Sequence, residues 1–102
     1  MPSYSIFWKY LVKDQQNDSF ESVYGQRGAW NSLFRQSAAY KGSCLHRSAD
    51  DTNVYLLIDT WTDRASYEAF KSQNRKSYES LSTQCETTYK SEELLGTFNA
   101  ID

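Results

Sequence analysis

Residues 4–12 alternate between two sets of side chains, which is the pattern of a β-strand with one buried face. The even-numbered positions carry the larger apolar set, Tyr4, Ile6, Trp8, Tyr10 and Val12. Residues 40–47 and 53–61 are two further strand candidates, and the turn-forming residues 50–53 between them predict a β-hairpin. A short apolar segment at 94–98 predicts a final strand.

The segments between these strands carry apolar residues at helical spacing. Residues 18–21 (Asp-Ser-Phe-Glu) have the form of a capping box, so we expect a helix to begin there and to break or kink at Gly25 and Gly28. Residues 62–63 (Thr-Asp) predict the N-cap and acidic first turn of a second helical region. Asn74 interrupts its apolar stripe and predicts a break there. The stripe consists of Tyr67, Phe70, Asn74, Tyr78, Leu81 and Cys85.

The predicted order of elements is β-α-β-β-α-β, with short connections. Right-handed crossovers then give a four-stranded antiparallel sheet with both helical regions on one face, which is the α+β, ferredoxin-like plan. The 102 residues match the size of one domain, so we expect a single domain over residues 1–102.

Strand parity predicts two different faces for this sheet. We expect the helices to cover the even positions of the first strand together with Val54, Leu56 and Ile58. The opposite face would then carry Phe7, Lys9, Leu11, Tyr55, Leu57, Asp59, Trp61, Cys44 and His46. An apolar patch of that size is unusual on a monomer, so we predict a homodimer with C2 symmetry that packs through this open sheet face.

Three polar residues on the predicted open face have two interpretations each. Lys9 and Asp59 would form either an ion pair inside the dimer or part of a catalytic site. His46 is the single histidine, and it is either a hydrogen-bonded interface or surface residue or a general base or metal ligand. The sequence has no Cys, Asp or Glu cluster near His46, so we predict no metal site.

Composition and charge narrow the class of protein. Leu, Ile, Val and Phe make up just under a fifth of the chain and the mean hydropathy is −0.74, but the net charge is only −2 and 16% of the residues are aromatic. We therefore expect a folded core rich in aromatic side chains rather than disorder. Nucleic-acid binding is not expected at a pI near 5.3. The longest apolar run, 54–58, is too short to span a membrane.

The N-terminal residues and the cysteines predict the compartment. Residues 1–9 lack the basic and apolar regions of a signal peptide. Cys44 and Cys85 follow no repeated spacing, so we expect reduced thiols and a cytoplasmic protein.

The sequence contains no nucleophile elbow, phosphate loop or dinucleotide fingerprint. The remaining candidate site is an aromatic cleft between helices and sheet. It is either a packed core or a small-molecule pocket. Its candidate residues are Trp8, Tyr10, Trp30, Tyr67, Phe70 and Tyr78.

Spaced motifs along residues 4–98 resemble the antibiotic biosynthesis monooxygenase domain family. They run Phe20-x₃-Tyr24-Gly25-x₂-Gly28-x-Trp30-x₂-Leu33-Phe34, Tyr40-x-Gly42, Tyr55-Leu56-x-Ile58-Asp59-x-Trp61, Tyr67-x₂-Phe70, Cys85-Glu86 and Gly96-x-Phe98. The resemblance implies a dimeric α/β barrel with a substrate cleft between helices and sheet. The resemblance also implies one of two activities. The first is quinone formation by an oxygenase that needs neither metal nor flavin, and the second is haem degradation by an oxygenase.

Within the first branch, the protein positions and deprotonates a phenolic substrate that itself reduces oxygen. The catalytic candidates are then Tyr10, Tyr67 and Asn74, and the substrate-binding candidates are Trp8, Tyr10, Trp30, Trp61, Tyr67, Phe70 and Tyr78, with Trp61 also matching a framework position. In the haem-degrading branch an Asn, a Trp and a His are needed, where this chain has Tyr10, Phe70 and about Ser80. We therefore expect no haem and no other cofactor.

Two functions from different classes remain open at this point. One is a cofactor-independent monooxygenase acting on a small phenol or quinol. The other is a non-catalytic dimer that binds a small hydrophobic ligand or acts as an accessory protein.

Overall fold

A computed structural model describes residues 3–101, so residues 1–2 and 102 at the ends of the predicted domain lie outside the described residues. A short 3₁₀-helix, Glu86–Thr88, precedes the last strand. The other elements are, in chain order, β1 (Tyr4–Val12), α1 (Asn17–Tyr24), α2 (Ala29–Phe34), β2 (Tyr40–Arg47), β3 (Val54–Trp61), α3 (Arg64–Gln73), α4 (Arg75–Cys85) and β4 (Tyr89–Asn99).

All strand pairs are antiparallel, and the sheet order is β2-β3-β1-β4. This is the ferredoxin-like arrangement that the order of elements predicts, with β1 and β3 in the centre. Among residues 3–101, no helix is both long enough and apolar enough to pass through a bilayer.

The register between β1 and β3 corrects the predicted faces of β3. Tyr4 lies opposite Trp61, and Tyr10 lies opposite Tyr55. Directly opposed residues of an antiparallel pair point to the same face. The helix face therefore receives the odd positions of β3, Tyr55, Leu57, Asp59 and Trp61, all of which are buried. The even positions, Val54, Leu56 and Ile58, lie on the open face, so the predicted assignment was wrong.

The physical reason is that β3 is apolar at both parities. Alternation alone cannot choose between two apolar sets, and a change of one residue moves every side chain to the other face. The larger aromatic set packs under the helices.

The same register separates Lys9 from Asp59, so their predicted pairing on one face was also wrong. Lys9 is opposite Leu56 on the open face, whereas Asp59 is opposite Ile6 beneath the helices. Cys44 and His46 are opposite Ile58 and Leu56, which confirms their predicted place on the open face.

Glycines and Asn74 divide the helical regions as predicted. Gly28 is the N-cap of α2, and a Cβ on it would lie 2.0 Å from the carbonyl oxygen of Val23, so only glycine fits at this close approach. Asn74 separates α3 from α4, and its Nδ2 donates a hydrogen bond of 3.0 Å to the carbonyl oxygen of Phe70.

The helix starts follow the sequence less closely. The predicted capping box was wrong, because α1 begins at Asn17, one residue before Asp18, without a side-chain cap. Glu21 instead accepts a hydrogen bond from the Tyr55 hydroxyl on β3. The N-cap of α3 is confirmed, since the Asp63 carboxylate accepts from the Ser66 amide at 2.7 Å. The first turn of α3 itself contains no acidic residue, contrary to prediction.

Two aromatic-rich core clusters lie between the sheet and the helices. The cluster under α1 and α4 contains Tyr10, Val12, Phe20, Tyr24, Tyr55, Leu57 and Cys85. The cluster under α2 and α3 contains Tyr4, Ile6, Phe34, Trp61, Tyr67 and Phe70. Trp8 and Trp30 are partly buried and pack against both clusters. The space between the clusters is where the site lies.

Candidate functional site

A cavity of about 150 Å³ lies between the helices and the sheet at the junction of the two clusters. Its apolar walls are Trp8, Tyr10, Tyr24, Trp30, Phe34, Leu57 and Tyr78, and its polar lining is Asn31, Ser43, Asp59, Ser82 and Glu92. An apolar cavity of about 150 Å³ holds one benzene molecule. The space therefore accommodates one aromatic ring.

The aromatic walls come from β1, α1, α2 and α4. Trp30 meets Tyr78 edge-to-face with ring centroids 5.0 Å apart, and it lies 6.1 Å from the ring of Tyr24. Such pairs add stabilisation beyond their buried area and fix the orientation of each ring. The walls are thus preformed surfaces against which a planar ligand can stack.

Asp59 contributes a buried carboxyl group to the cavity, with 7% of its surface exposed. The Ser43 hydroxyl donates to its Oδ1 at 2.5 Å. Burial raises the pKa of Asp59 from 3.8 to about 6, and the hydrogen bond from Ser43 opposes that rise. A carboxyl group with such a pKa accepts protons effectively near neutral pH.

A hydrogen-bond chain leads from Asp59 to Asn31 on α2. The hydroxyls of Ser43 and Tyr40 share a hydrogen bond, and Asn31 Nδ2 donates to the Tyr40 hydroxyl at 3.1 Å. Asn31 is 5% exposed and its Oδ1 has no hydrogen-bond partner. The chain thus ends in an unused acceptor on a residue that lines the cavity.

A β-bulge in β2 makes this chain possible. Tyr40 is opposite Trp61 and Ser43 is opposite Asp59, although residues three apart on a regular strand point to opposite faces. The register shifts between Tyr40 and Gly42, and Gly42 adopts a φ of 130° that favours glycine. The bulge therefore turns both hydroxyls toward the helices.

Glu92 on β4 lines the side of the cavity opposite Asp59. It lies opposite Tyr10 in the sheet, and the Tyr10 hydroxyl donates to its Oε2 at 2.6 Å. Burial and the neighbouring carboxylate raise the pKa of Tyr10 well above its usual value, so its hydroxyl stays protonated. Glu92 itself is exposed, which brings this wall to the solvent.

The predicted site residues fall into three groups. Four of them, Trp8, Tyr10, Trp30 and Tyr78, line the cavity. Three others, Trp61, Tyr67 and Phe70, lie together in the neighbouring core cluster, with Trp61 completely buried. Asn74 lines a separate surface pocket between α3 and the residues that follow α2.

Sequence reasoning missed the polar lining of the cavity. Asp59 was considered but placed on the wrong face, although a carboxylate inside an apolar strand is itself a signal of a special site. Asn31 and Ser43 carry no local sequence signal of a site, because the helix break before α2 and the bulge in β2 bring them to the cavity. Among residues 3–101, no group of three or more His, Cys, Asp or Glu side chains could hold a metal ion.

The α+β fold of the chain is similar to that of solved structures described as a cofactor-independent oxygenase or as antibiotic biosynthesis monooxygenases. SnoaB from Streptomyces nogalater, a cofactor-independent oxygenase, is similar with a TM-score of 0.80 at 20% identity, over 100% of this chain and 96% of that chain. A presumed antibiotic biosynthesis monooxygenase from Bordetella bronchiseptica gives a TM-score of 0.74 at 17% identity, over 99% of each chain.

A presumed antibiotic biosynthesis monooxygenase from Nitrosomonas europaea gives a TM-score of 0.76 at 15% identity, over 97% of this chain and 90% of that chain. No protein-family profile and no curated protein matches the sequence. These similarities establish the fold, and function has to be argued from the site.

Proposed function

We propose that this chain is a monooxygenase that needs no cofactor and acts on a small phenol or quinol bound in the cavity. The observation that carries the proposal is Asp59, a carboxyl group with a pKa of about 6 inside an aromatic cavity that fits one ring. The similarity in fold to a cofactor-independent oxygenase supports it.

The substrate supplies all electrons for the reaction. Asp59 takes the phenolic proton, and the phenolate reduces O₂ as a new C–O bond forms at a ring carbon that bears hydrogen. The O–O bond then breaks. One oxygen atom becomes the second carbonyl of the quinone, and the other leaves as water with the ring hydrogen and the phenolic proton.

Each part of the cavity has a role in this scheme. The ring of the substrate packs against Trp8, Trp30 and Tyr78. The bound ring and these side chains exclude water from the reacting atoms. Tyr10, held by Glu92, is a neutral hydroxyl in the wall, so among the catalytic candidates it is the one we assign to the site. Tyr67 and Asn74 lie outside the cavity, so we assign them no contact with the substrate.

The test is oxygen consumption with a panel of single-ring phenols and hydroquinones in the presence of a chelator. We expect one O₂ consumed per quinone formed, and a large loss of kcat in Asp59→Asn. The matched control is Glu93→Gln, because Glu93 is opposite Lys9 on the other face of the sheet. No uptake above the rate without protein, on any member of the panel, contradicts the proposal.

The cavity volume favours a second candidate function, ligand binding without catalysis. About 150 Å³ is below the several hundred Å³ typical of sites for larger small molecules, so the cavity suits a fragment-sized ligand. Saturable binding of a single-ring phenol with no oxygen consumption would identify this function.

We also propose that a second copy of the chain covers the open face of the sheet. That face carries Phe7, Leu11, Val54, Leu56, Ile58 and Phe98, and the rings of Phe7 and Phe98 meet edge-to-face at 5.1 Å. An apolar patch of this kind marks an interface. Light scattering should give twice the 11.9 kDa of one chain, and a monomeric mass at micromolar concentration contradicts the proposal.

A further inference from the structure

The ionisable side chains with a charge near neutral pH that line the cavity are all acidic. The lining contains two carboxyl groups, Asp59 and Glu92, on opposite sides of the space. Among the described residues that line it, none is Lys, Arg or His. A ligand therefore meets negative charge with no cation to balance it.

Asp59 is buried without an ion-pair partner. Its neighbour is the neutral hydroxyl of Ser43, and the influences on its pKa are burial and that hydrogen bond, with no contribution from a cation. A buried carboxylate is stabilised by a nearby cation or by hydrogen-bond donors, and it is destabilised by a second negative charge. Because Ser43 donates only to Oδ1, a ligand can supply a further donor to Asp59.

Asn31 on α2 also has room for a hydrogen-bond donor. It is 5% exposed, its Nδ2 donates a hydrogen bond to the Tyr40 hydroxyl, and its Oδ1 has no hydrogen-bond partner. Leaving a buried acceptor unpaired is unfavourable, because the atom has lost its hydrogen bonds to water. A ligand hydroxyl or amide that reaches this oxygen removes that cost.

We propose that the cavity selects by charge: it binds an uncharged aromatic ring that bears hydrogen-bond donors, and it excludes a ring of the same shape that carries a carboxylate, sulfonate or phosphate. This inference rests on the proposed function only in using the same cavity. Juxtaposed like charges in a desolvated site are a strong device for rejecting a ligand, and here the repulsive groups are Asp59 and Glu92.

The probes are 4-hydroxybenzenesulfonamide and 4-hydroxybenzenesulfonate, which share a ring and a hydroxyl and differ in charge. Binding is measured by the fluorescence of Trp8 and Trp30, which line the cavity. At about pH 7 most Asp59 is ionised while the sulfonamide probe keeps its phenolic proton, and we expect the sulfonamide to bind at least about tenfold more tightly than the sulfonate.

Removal of the negative charge identifies its source. In Asp59→Asn the preference for the sulfonamide should fall several-fold, whereas Glu93→Gln on the open face should leave it unchanged. The wild-type protein at about pH 5 gives the same information without a substitution, since Asp59 is then protonated and the sulfonate stays charged.

The tyrosine hydroxyls around Asp59 do not change their charge in the pH range of this measurement. Tyr40 on β2, Tyr67 on α3 and Tyr78 on α4 face it, and burial raises the pKa of each above its ordinary value. These hydroxyls therefore stay neutral throughout. Glu92 lies across the cavity, and the Asp59→Asn comparison separates its contribution.

Equal binding of the two probes, tighter binding of the sulfonate, or no binding of either overturns the inference. Its failure is distinct from failure of the proposed function. Oxygen consumption on quinols without a charge preference leaves the monooxygenase and removes the selectivity. A charge preference without oxygen consumption leaves the selectivity and favours a binding protein.

Discussion

Replacement of Asp59 by Asn is expected to make the protein more stable at neutral pH. Asp59 is 7% exposed and has no ion-pair partner, so its ionised form is disfavoured in the folded state. Asparagine has nearly the same shape, and its side-chain oxygen can still accept the hydrogen bond from Ser43. The substitution therefore removes the charge while keeping the packing.

The size of the effect follows from the pKa of Asp59. Burial raises it from 3.8 to about 6. One pKa unit corresponds to about 1.4 kcal/mol, so the folded state loses up to about 3 kcal/mol of unfolding free energy when Asp59 ionises. The sign is fixed by proton binding. Between pH 3.8 and about 6 the folded chain holds the proton that the unfolded chain has released, so stability falls as the pH rises through this window.

The measurement is urea unfolding of wild type and Asp59→Asn, followed by tryptophan fluorescence at several pH values. We expect similar free energies of unfolding at about pH 4 and a difference of about 3 kcal/mol in favour of the variant at about pH 8. The pH dependence of all other groups is common to both proteins and cancels in the difference.

A variant that is less stable than wild type at about pH 8, or a difference that does not change with pH, would refute the reasoning. Either result would mean that the Asp59 carboxylate is compensated in the fold. Loss of oxygen consumption together with the gain in stability would show that the charge is kept for the site at a cost to the fold.

Three further predictions test other parts of the structure. Gly28→Ala should lower the unfolding free energy by about 3 kcal/mol, because the added Cβ meets backbone 2.0 Å away, whereas the exposed Ser32→Ala on the same helix should change it little in thermal unfolding. Ser43→Ala removes the hydrogen bond that lowers the pKa of Asp59, so the acid limb of the pH–rate profile for oxygen consumption should move to higher pH; an unmoved limb contradicts the role of Asp59. Leu56→Glu on the open face should give a monomer in light scattering, and a dimer that persists would place the interface elsewhere.

The fold could be predicted because its elements carry strong local signals. The alternation of β1 is unambiguous, since its even positions are all large and apolar. Gly28 interrupts a helical stripe where the backbone approaches too closely for any other residue. Asn74 interrupts the second stripe where α3 ends. Each of these signals acts within a few residues, so it can be read without knowing the tertiary structure.

The polar half of the site depends on long-range pairing, which the sequence does not reveal. Asp59 reaches the cavity through the register of β3 against β1, and β3 is apolar at both parities. Ser43 joins it through a bulge at Gly42. Glu92 lies in the polar first half of β4, a strand that was predicted only at 94–98 but extends over Tyr89–Asn99. Pairing with β1 rather than its own pattern makes this segment a strand.

The two halves of the site differ in how readily they tolerate sequence changes, because one half follows the break between α1 and α2. Trp30 and Asn31 sit on α2, a helix of six residues that follows the exposed Gln26 and Arg27, whereas Asp59 is fixed in a central strand. Loop residues with few contacts tolerate insertions and substitutions much better than strand residues do. A change of length at residues 26–27 would move the wall that receives the ligand while the carboxyl group keeps its place. New ligand preferences can therefore arise in this scaffold from one exposed turn, without any alteration of the sheet.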